Sequence, residues 1–318
     1  MKKILIIQTA FLGDVILATA AINEAYRIFP EAKIDVLVKK GNEALLDNNP
    51  KISEIFTLDK SLGKFIEIKR LTQLFRANSY DLCLNFHRFG SSGIITMRCG
   101  AKLKYGFQKN PFSVFFTKKF RHTIGDGTHE VARNLTMLHE FGANKMAKPE
   151  LFPSEQNFSK VEQLKTMPYF CIAPASVWKT KQLPEKKWVE LIQKLIPQGR
   201  VYLLGAKDDV PLCTSILNSL RSEKVINLAG QLSFLESAAL MRDAKRNHVN
   251  DSGPLHIASA MNAPVTAYFC STVPVFGFGP LSDDSEIKEV LGLDCRPCGL
   301  HGYDVCPKGH FKCGDIEV

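Results

Sequence analysis

The amino-acid sequence predicts an α/β protein made of two doubly wound domains with mostly parallel sheets. Its 318 residues are enough for two domains of ordinary size that each bury a core. Short apolar segments alternate with amphipathic helical segments from the first residue onward, which is typical of repeated βα units. A polar stretch punctuated by prolines interrupts this alternation near the middle, and the same alternation then starts again.

The first half predicts one domain, at residues 1–150. Apolar residues 4–7 indicate a buried strand, and helical spacing indicates a helix over 14–29 that Pro30 ends. Further strands are predicted at 33–38, 54–58, 81–85, 103–107 and 114–117, and a closing helix at 129–141. Between the third and fourth strands, six apolar residues recur at helical spacing and should cover the sheet: Leu62, Phe65, Ile66, Leu71, Leu74 and Phe75.

The second half predicts a similar domain, at residues 168–318, after a linker marked by Pro149, Pro153 and Pro168. Its strands are predicted at 170–173, 201–204, 225–227, 248–250 and 265–269, with helices at 188–196, 211–220 and 234–241. Doubly wound sheets bind ligands at the carboxyl ends of their strands. We therefore expect the two domains to face a central cleft.

Composition narrows the class of protein. A hydrophobic content of 45% with 23% charged residues excludes wholesale disorder, and no run of eighteen apolar residues is present. The first apolar stretch stops at Gln8, and Asp14 follows, which favours a strand over a signal peptide. We therefore expect a cytoplasmic protein.

The net charge of +9 is informative about partners. The basic segments contain no long Arg/aromatic array and no helix-turn-helix pattern, so nucleic acid is disfavoured. An anionic membrane surface or a phosphorylated substrate is favoured, and a merely solvated basic face is the alternative. The aromatic run over 112–120 beside Lys118 and Lys119 could touch a membrane, but core packing is the preferred interpretation.

The nine cysteines fall into two groups. Five lie in apolar segments, as core residues do: Cys83, Cys99, Cys171, Cys213 and Cys270. Four lie in the tail with His301 and His310: Cys295, Cys298, Cys306 and Cys313. The first two have the spacing of half a zinc knuckle, but the last two are not a second such pair. We expect a reduced, packed tail without metal, with a structural metal as the alternative.

One segment, at residues 250–258, is a candidate anion site. An acidic residue, a hydroxyl and a glycine (Asp251, Ser252 and Gly253) precede Pro254 and His256 at the start of a helix. Helix N-termini offer free amides and a positive dipole end to a phosphate. The alternative is an ordinary helix cap, in which Pro254 fits the first position.

A second candidate is Gly13 with Asp14, directly after the first strand. A single glycine is not the dinucleotide fingerprint, so a nicotinamide cofactor is disfavoured. The carboxylate suits a general base, and the adjacent helix N-terminus should keep it ionised at neutral pH. Alternatively, Asp14 only stabilises its own helix.

Two further loops follow strands of the second domain. One carries Ser176 and Lys181, and a lysine there could neutralise a leaving diphosphate. The other carries Gly205 with Asp208 and Asp209, and either aspartate could accept hydrogen bonds from ribose hydroxyls.

These motifs together resemble the ADP-heptose:lipopolysaccharide heptosyltransferases, glycosyltransferase family 9. The resemblance runs through nearly the whole chain in order, and the Asp-Ser-Gly-Pro-Leu-His run at 251–256 is its most specific part. The cysteine-rich ending is similar to the heptosyltransferase II branch. The resemblance implies a GT-B fold, with an ADP-sugar donor on the second domain and a lipopolysaccharide acceptor on the first.

The resemblance also implies roles for particular residues. Asp14 is implied as the base and Lys181 as the diphosphate partner. The implied donor contacts are Thr9, Gly13, Ser176, Lys181, Gly205, Asp208, Asp251, Ser252, Gly253, Pro254 and His256. The implied acceptor contacts are Arg88, His129, Glu130, Arg133 and Asn134.

The expected activity is inverting transfer of heptose from ADP-heptose to the inner core of lipopolysaccharide, at the cytoplasmic face of the inner membrane. Lysine and backbone dipoles would take up the charge of the leaving ADP, so neither metal nor cofactor is expected. Two alternatives are a sugar-nucleotide epimerase of the same fold and a non-catalytic nucleotide-sugar-binding protein.

Overall fold

The structure, a computed structural model, describes all 318 residues and contains two six-stranded sheets, each entirely parallel. One compact unit comprises Met1–Ile124 and Thr128–Phe152, and the other comprises Gly125–Gly127 and Pro153–Val318. The predicted α/β class with two doubly wound, Rossmann-like domains is confirmed.

The first unit has strand order β3-β2-β1-β4-β5-β6. Its strands are β1 (Lys3–Gln8), β2 (Lys33–Lys39), β3 (Glu54–Leu58), β4 (Leu82–Asn85), β5 (Leu103–Phe107) and β6 (Lys118–Phe120). Its helices are α1 (Leu12–Ile28), α2 (Lys64–Asn78), α3 (Gly90–Arg98) and α4 (Glu130–Leu135). Ile4, Leu5, Ile6 and Ile7 of β1 are all fully buried, because helices cover both faces of a parallel sheet.

The second unit has strand order β12-β11-β10-β7-β8-β9. Its strands are β7 (Tyr169–Ala173), β8 (Arg200–Leu203), β9 (Val225–Asn227), β10 (Arg246–Asn250), β11 (Val265–Phe269) and β12 (Ser285–Glu289). Its helices are α5 (Glu155–Glu162), α6 (Glu185–Leu195), α7 (Val210–Leu220), α8 (Phe234–Arg242) and α9 (Gly253–Ala260). Trp188 of α6 is fully buried and packs edge-on against Tyr268 of β11, with ring centroids 5.2 Å apart.

Both sheets have the same topology. In each sheet, the first strand in chain order lies beside the fourth. The next two strands along the chain extend the sheet on one side of this pair, and the last two extend it on the other side. The crevice at such a topological switch point is where open α/β sheets bind ligands. The switch point lies between β1 and β4 in the first unit and between β7 and β10 in the second.

Several elements differ from the sequence prediction. The segment predicted as a strand at 114–117 is a short 3₁₀ turn over Ser113–Phe115, and β6 follows it. Helix α3 escaped prediction because it begins with glycine and serine, and β12 because an edge strand with charged residues lacks an apolar signal. Helix α5 lies inside the predicted linker.

The prediction that six apolar residues between β3 and β4 pack on the first sheet is only partly right. Leu71 and Phe75 of α2 are fully buried, as expected. Leu62, Phe65 and Ile66 are instead 62% to 76% exposed; Leu62 precedes α2, and the other two lie in its first turn. In the aromatic run, Phe116 is buried, Phe112 and Phe120 are half-buried, and Phe115 is exposed. No helix has the length and apolar character needed to cross a membrane.

Candidate active site

The switch point of the first unit brings together residues from the loops after β1 and β4. Thr9 follows β1, and its Oγ1 lies 2.7 Å from Nδ1 of His87, which follows β4. Burial, with Lys60 and Arg88 nearby, lowers the pKa of His87 to about 4. His87 is therefore neutral at physiological pH. Nothing in the sequence singled it out, because its partner lies 78 positions away.

Asp14 lies in the first turn of α1 next to this pair of loops. Its Oδ2 accepts a hydrogen bond from the backbone N–H of Phe11 at 3.2 Å. The pKa of Asp14 is raised to about 7, mainly by burial and also by the charge of Glu130, although the Phe11 amide and Arg88 oppose both effects. The expectation that the helix N-terminus keeps Asp14 ionised at neutral pH is therefore wrong. Desolvation outweighs the dipole, and the carboxyl titrates near neutrality.

A network of buried charged side chains lies close enough to Asp14 to affect its pKa. Helix α4 carries Glu130 and Arg133, and the guanidinium of Arg133 donates to Glu130 Oε2 at 2.8 Å. His122 Nε2 lies 3.0 Å from the same oxygen. Burial alone would raise the pKa of Glu130, but His122 and Arg133 outweigh it and lower that pKa. Glu130 therefore places a fixed negative charge close enough to Asp14 to make its ionisation harder.

The five predicted acceptor residues divide by position. Arg88 is half-buried in the loop after β4, close enough to Asp14 to lower the pKa of that carboxyl. His129 caps α4, with its Nδ1 accepting from the Val131 N–H at 3.2 Å. Glu130, Arg133 and Asn134 are at most 4% exposed. Acceptor contact stays a prediction for all five, and the burial of the last three favours an indirect role.

The switch point of the second unit joins the two residues predicted to contact the sugar and the diphosphate. Lys181 Nζ lies 2.8 Å from Asp251 Oδ2, with side chains 15% and 9% exposed. Thr272, in the loop after β11, donates to the same carboxylate oxygen at 2.6 Å. This group holds a cation and an anion side by side, which suits the sugar–phosphate linkage of a nucleotide sugar. Thr272 has no sequence motif of its own, so nothing in the sequence predicted its place in this group.

Asn250 fixes the loop that carries Lys181. The Asn250 side chain is fully buried at the end of β10. Its Oδ1 accepts from the Leu183 N–H at 2.9 Å, and its Nδ2 donates to the Pro174 carbonyl at 2.8 Å. A single amide thus fastens both ends of the loop after β7 to the strand that presents Asp251. Within that loop, the carbonyl of Ser176 accepts from the Gln182 side chain at 2.7 Å.

Helix α9 begins as the sequence predicts. Ser252 is the N-cap, Pro254 lies in the first turn, and Ser252, Gly253 and Pro254 are all half-buried. The Ser252 side chain makes no capping hydrogen bond to the helix. Pro254 has no N–H, and the Leu255 N–H donates to the Ser252 carbonyl at 3.1 Å, so Gly253 supplies the first-turn amide that is left to another acceptor. His256 is buried in the helix, 6.4 Å from the ring of Phe278. The geometry fits an anion at this N-terminus.

The loop after β8 contains the predicted ribose contacts. Asp209 Oδ2 accepts from the Ala206 N–H at 2.8 Å, so this carboxylate closes its own turn. Gly205 permits that turn, because a Cβ there would lie 2.7 Å from the Cβ of Asp209. Asp208 is exposed, and of the two aspartates it is the better placed for a ligand.

The tail packs against the segments that present Lys181 and Asp251. The backbone N–H of Tyr303 donates to Thr180 Oγ1 at 2.8 Å, and the Thr180 N–H donates to the Tyr303 carbonyl at 2.9 Å. Thr180 Oγ1 also lies 3.1 Å from Ser271 Oγ. The Arg296 guanidinium donates to the carbonyls of Phe269, Cys270, Thr272 and Val290 and to Glu289 Oε2, at 2.6 to 3.1 Å. The tail thereby supports the segments that carry Lys181 and Asp251.

The cysteines form no disulfide. Cys313 is buried in the core of the second unit, and Cys295 Sγ lies 3.9 Å from His310 Nε2. No group of three or more potential ligands is arranged to hold a metal ion. The prediction that the protein needs no metal stays a prediction.

Two Rossmann-like units, one with a neutral-range carboxyl at its switch point and the other with a lysine–aspartate pair at a helix N-terminus, give this chain a GT-B-like fold. Solved structures share this fold. The structure of Escherichia coli ADP-heptose lipopolysaccharide heptosyltransferase II aligns with a TM-score of 0.80, at 23% identity over 98% of this chain and 97% of that one. The structure of E. coli heptosyltransferase WaaC with ADP aligns at 0.73, with 21% identity over 90% and 92%.

Sequence comparison identifies the family. Residues 68–302 match the family model described as "Glycosyltransferase family 9 (heptosyltransferase)", so the chain belongs to glycosyltransferase family 9. The chain is 28% identical over 285 residues to lipopolysaccharide heptosyltransferase 3 of E. coli, covering 84% of this chain and 83% of that relative. The predicted family and the prediction of a glycosyltransferase are confirmed.

Proposed function

We propose that this enzyme transfers heptose, with inversion, from ADP-heptose to the inner core of lipopolysaccharide. The observation that carries the proposal is the 2.8 Å pair of Lys181 and Asp251 at the N-terminus of α9. Support for the substrates comes from relatives named lipopolysaccharide heptosyltransferases and from a solved relative with ADP. Membership of family 9 favours transfer over epimerisation or mere binding.

On the acceptor side, the ionised form of Asp14 takes the proton of the attacking hydroxyl. That oxygen forms a bond to the anomeric carbon as the bond from this carbon to the diphosphate oxygen breaks. A base with a pKa of about 7 is well matched to this task, because it is substantially ionised at neutral pH and still holds a proton firmly.

On the donor side, ADP leaves with the electron pair of the broken bond. Lys181 and the amides of Ser252 and Gly253 stabilise the charge that develops on its diphosphate. Asp251, held by Thr272, hydrogen-bonds heptose hydroxyls, and Asp208 accepts from the ribose. This chain's own cation and amides take the part that a divalent metal plays in other transferases, so the proposed reaction uses no metal or cofactor.

The proposed location is the cytoplasmic face of the inner membrane. A phosphorylated, lipid-linked acceptor is acidic, and a net charge of +9 would steer the protein toward it. Binding to acceptor-bearing vesicles should therefore weaken as the salt concentration rises. Binding that is independent of salt would contradict this steering.

One assay tests the proposed function. The purified enzyme is incubated with ADP-heptose and a heptose-deficient lipopolysaccharide core, and the glycolipid is weighed by mass spectrometry. A mass gain of one heptosyl group is expected, lost in Asp14→Asn and retained in Asp47→Asn, an exposed carboxylate of the same unit. An altered sugar nucleotide without a glycolipid product would indicate an epimerase, and bound but unchanged donor a non-catalytic protein.

A further inference from the structure

The first turn of α2 and the residue before it present large apolar side chains that are mostly exposed to solvent. Phe65 is 76% exposed, Ile66 is 67% exposed and Leu62, just before the helix, is 62% exposed. We call residues 60–66 the α2 tip. Three large apolar side chains that protrude together from a short segment are a typical mark of an interaction site.

The α2 tip lies at the functional edge of its sheet. It directly follows β3, whose carboxyl end lies at the same edge as those of β1 and β4. Asp14 and His87 follow β1 and β4 at that edge. Phe89, in the loop after β4, is also 66% exposed there. A partner bound to the α2 tip therefore approaches the side of the unit that carries the proposed base.

Positive charge surrounds the apolar side chains. Lys60 and Lys64 are exposed within the tip, and Lys64 Nζ lies 5.8 Å from the centre of the Phe65 ring. A cavity of about 300 Å³ adjoins the tip and is lined by Lys39, Lys40, Leu58, Asp59, Lys60 and Ser61. Asp59 pairs with Lys40 at 2.6 Å, so the charges of the other two lysines are not neutralised within the cavity. The cavity suits a phosphate group.

The apolar side chains of the α2 tip, with lysines around them, fit an anionic bilayer better than a second copy of this chain. Aromatic and aliphatic side chains enter the headgroup region, while lysines remain among anionic headgroups. A symmetric dimer through the same surface would instead place Lys60 and Lys64 against their own copies, because a two-fold contact is self-complementary.

We propose that the α2 tip inserts into the interfacial layer of an anionic phospholipid bilayer, with a lipid phosphate held in the adjoining lysine-lined cavity. This inference rests on the proposed function, because it supplies the means by which the first unit meets a lipid-linked acceptor. It goes further by assigning the membrane contact to one segment and by separating the apolar contribution from the ionic one.

Vesicle flotation tests the proposal. Full-length protein is mixed with vesicles of equimolar phosphatidylcholine and phosphatidylglycerol or of phosphatidylcholine alone. Phe65→Ser/Ile66→Ser should weaken binding to the anionic vesicles about tenfold or more, because two apolar side chains lose their insertion. Lys39→Gln/Lys60→Gln should weaken it roughly tenfold and reduce its salt dependence.

The matched control is Leu291→Ser/Val305→Ser, which removes two side chains of the second unit that are 77% and 76% exposed. This control should bind anionic vesicles like the wild type. Wild-type binding by Phe65→Ser/Ile66→Ser, equal loss in the control, or equal wild-type affinity for neutral vesicles would overturn the proposal. So would a change in oligomeric state, by light scattering, that leaves vesicle binding intact, because the tip would then join copies of the chain.

Activity on a soluble acceptor separates this proposal from the proposed function. With deacylated, water-soluble core oligosaccharide, Phe65→Ser/Ile66→Ser should transfer heptose at the wild-type rate. With vesicle-bound acceptor, the variant should transfer heptose more slowly than the wild type. If the wild type binds anionic vesicles through the tip but transfers nothing to either acceptor, the docking surface stands and the proposed activity fails.

Discussion

Asp14→Asn is expected to stabilise the protein at alkaline pH while abolishing transfer. The carboxyl's pKa rises from 3.8 to about 7 on folding. A carboxyl with a raised pKa binds its proton more tightly in the folded state, so its ionisation opposes folding. Asparagine keeps an oxygen that can accept the Phe11 N–H but carries no charge to desolvate.

The magnitude follows from the pKa difference. Each unit of pKa corresponds to about 1.4 kcal/mol, so the full shift corresponds to roughly 4 kcal/mol. The gap in unfolding free energy between Asp14→Asn and the wild type should widen as pH rises from 3.8 and level off above about 7.

Denaturant unfolding followed by tryptophan fluorescence and circular dichroism, at several pH values from 5 to 8.5, measures this gap. Asp47→Asn, which removes an exposed carboxylate of the same unit, should show no such pH-dependent gap. A gap for Asp14→Asn that stays constant as pH rises, or narrows, would refute the argument that desolvation raises the pKa of Asp14. Transfer activity should fall by a factor of about 10²–10⁴ in the same variant.

Two further predictions concern residues that act through others. Glu130→Gln removes the negative charge that raises the pKa of Asp14. The acidic limb of the pH profile of kcat/KM should therefore move to lower pH by roughly half a unit to one unit. An acidic limb that does not move would exclude electrostatic tuning of Asp14 by Glu130. Thr272→Val removes the hydrogen bond to Asp251. The KM for the donor should then rise about fivefold to tenfold, while the KM for the acceptor stays unchanged. An equal rise in both KM values would indicate a non-specific disturbance of the structure instead.

Residues whose role depends on local sequence were predictable. Gly13 with Asp14 follows β1, and Asp251 with Ser252 follows β10, so each pair lies where strand becomes helix. In a parallel sheet that junction is the ligand-binding edge, so chain order alone places these side chains there. The ionisation of Asp14 was not predictable, because burial and Glu130, 116 positions away in the chain, determine it.

Residues whose role depends on distant partners were not predictable. His87, Asn250 and Thr272 act through contacts to residues that are 78, 67 and 21 positions away. Periodicity misled at the α2 tip, because helical spacing identifies an apolar face but not whether other residues pack against it. Phe65 and Ile66 therefore fit the pattern of core residues while pointing into solvent.

The contacts of Thr180 with Ser271 and Tyr303 bear on the order in which the site forms during synthesis. Thr180 precedes the lysine of the candidate site, but its backbone and hydroxyl are held by residues translated 91 and 123 positions later. The first unit has its whole sequence by Phe152 and can fold on the ribosome. The loop that carries Lys181 must wait, so a nascent chain would complete the first unit long before the second unit could hold this lysine in place.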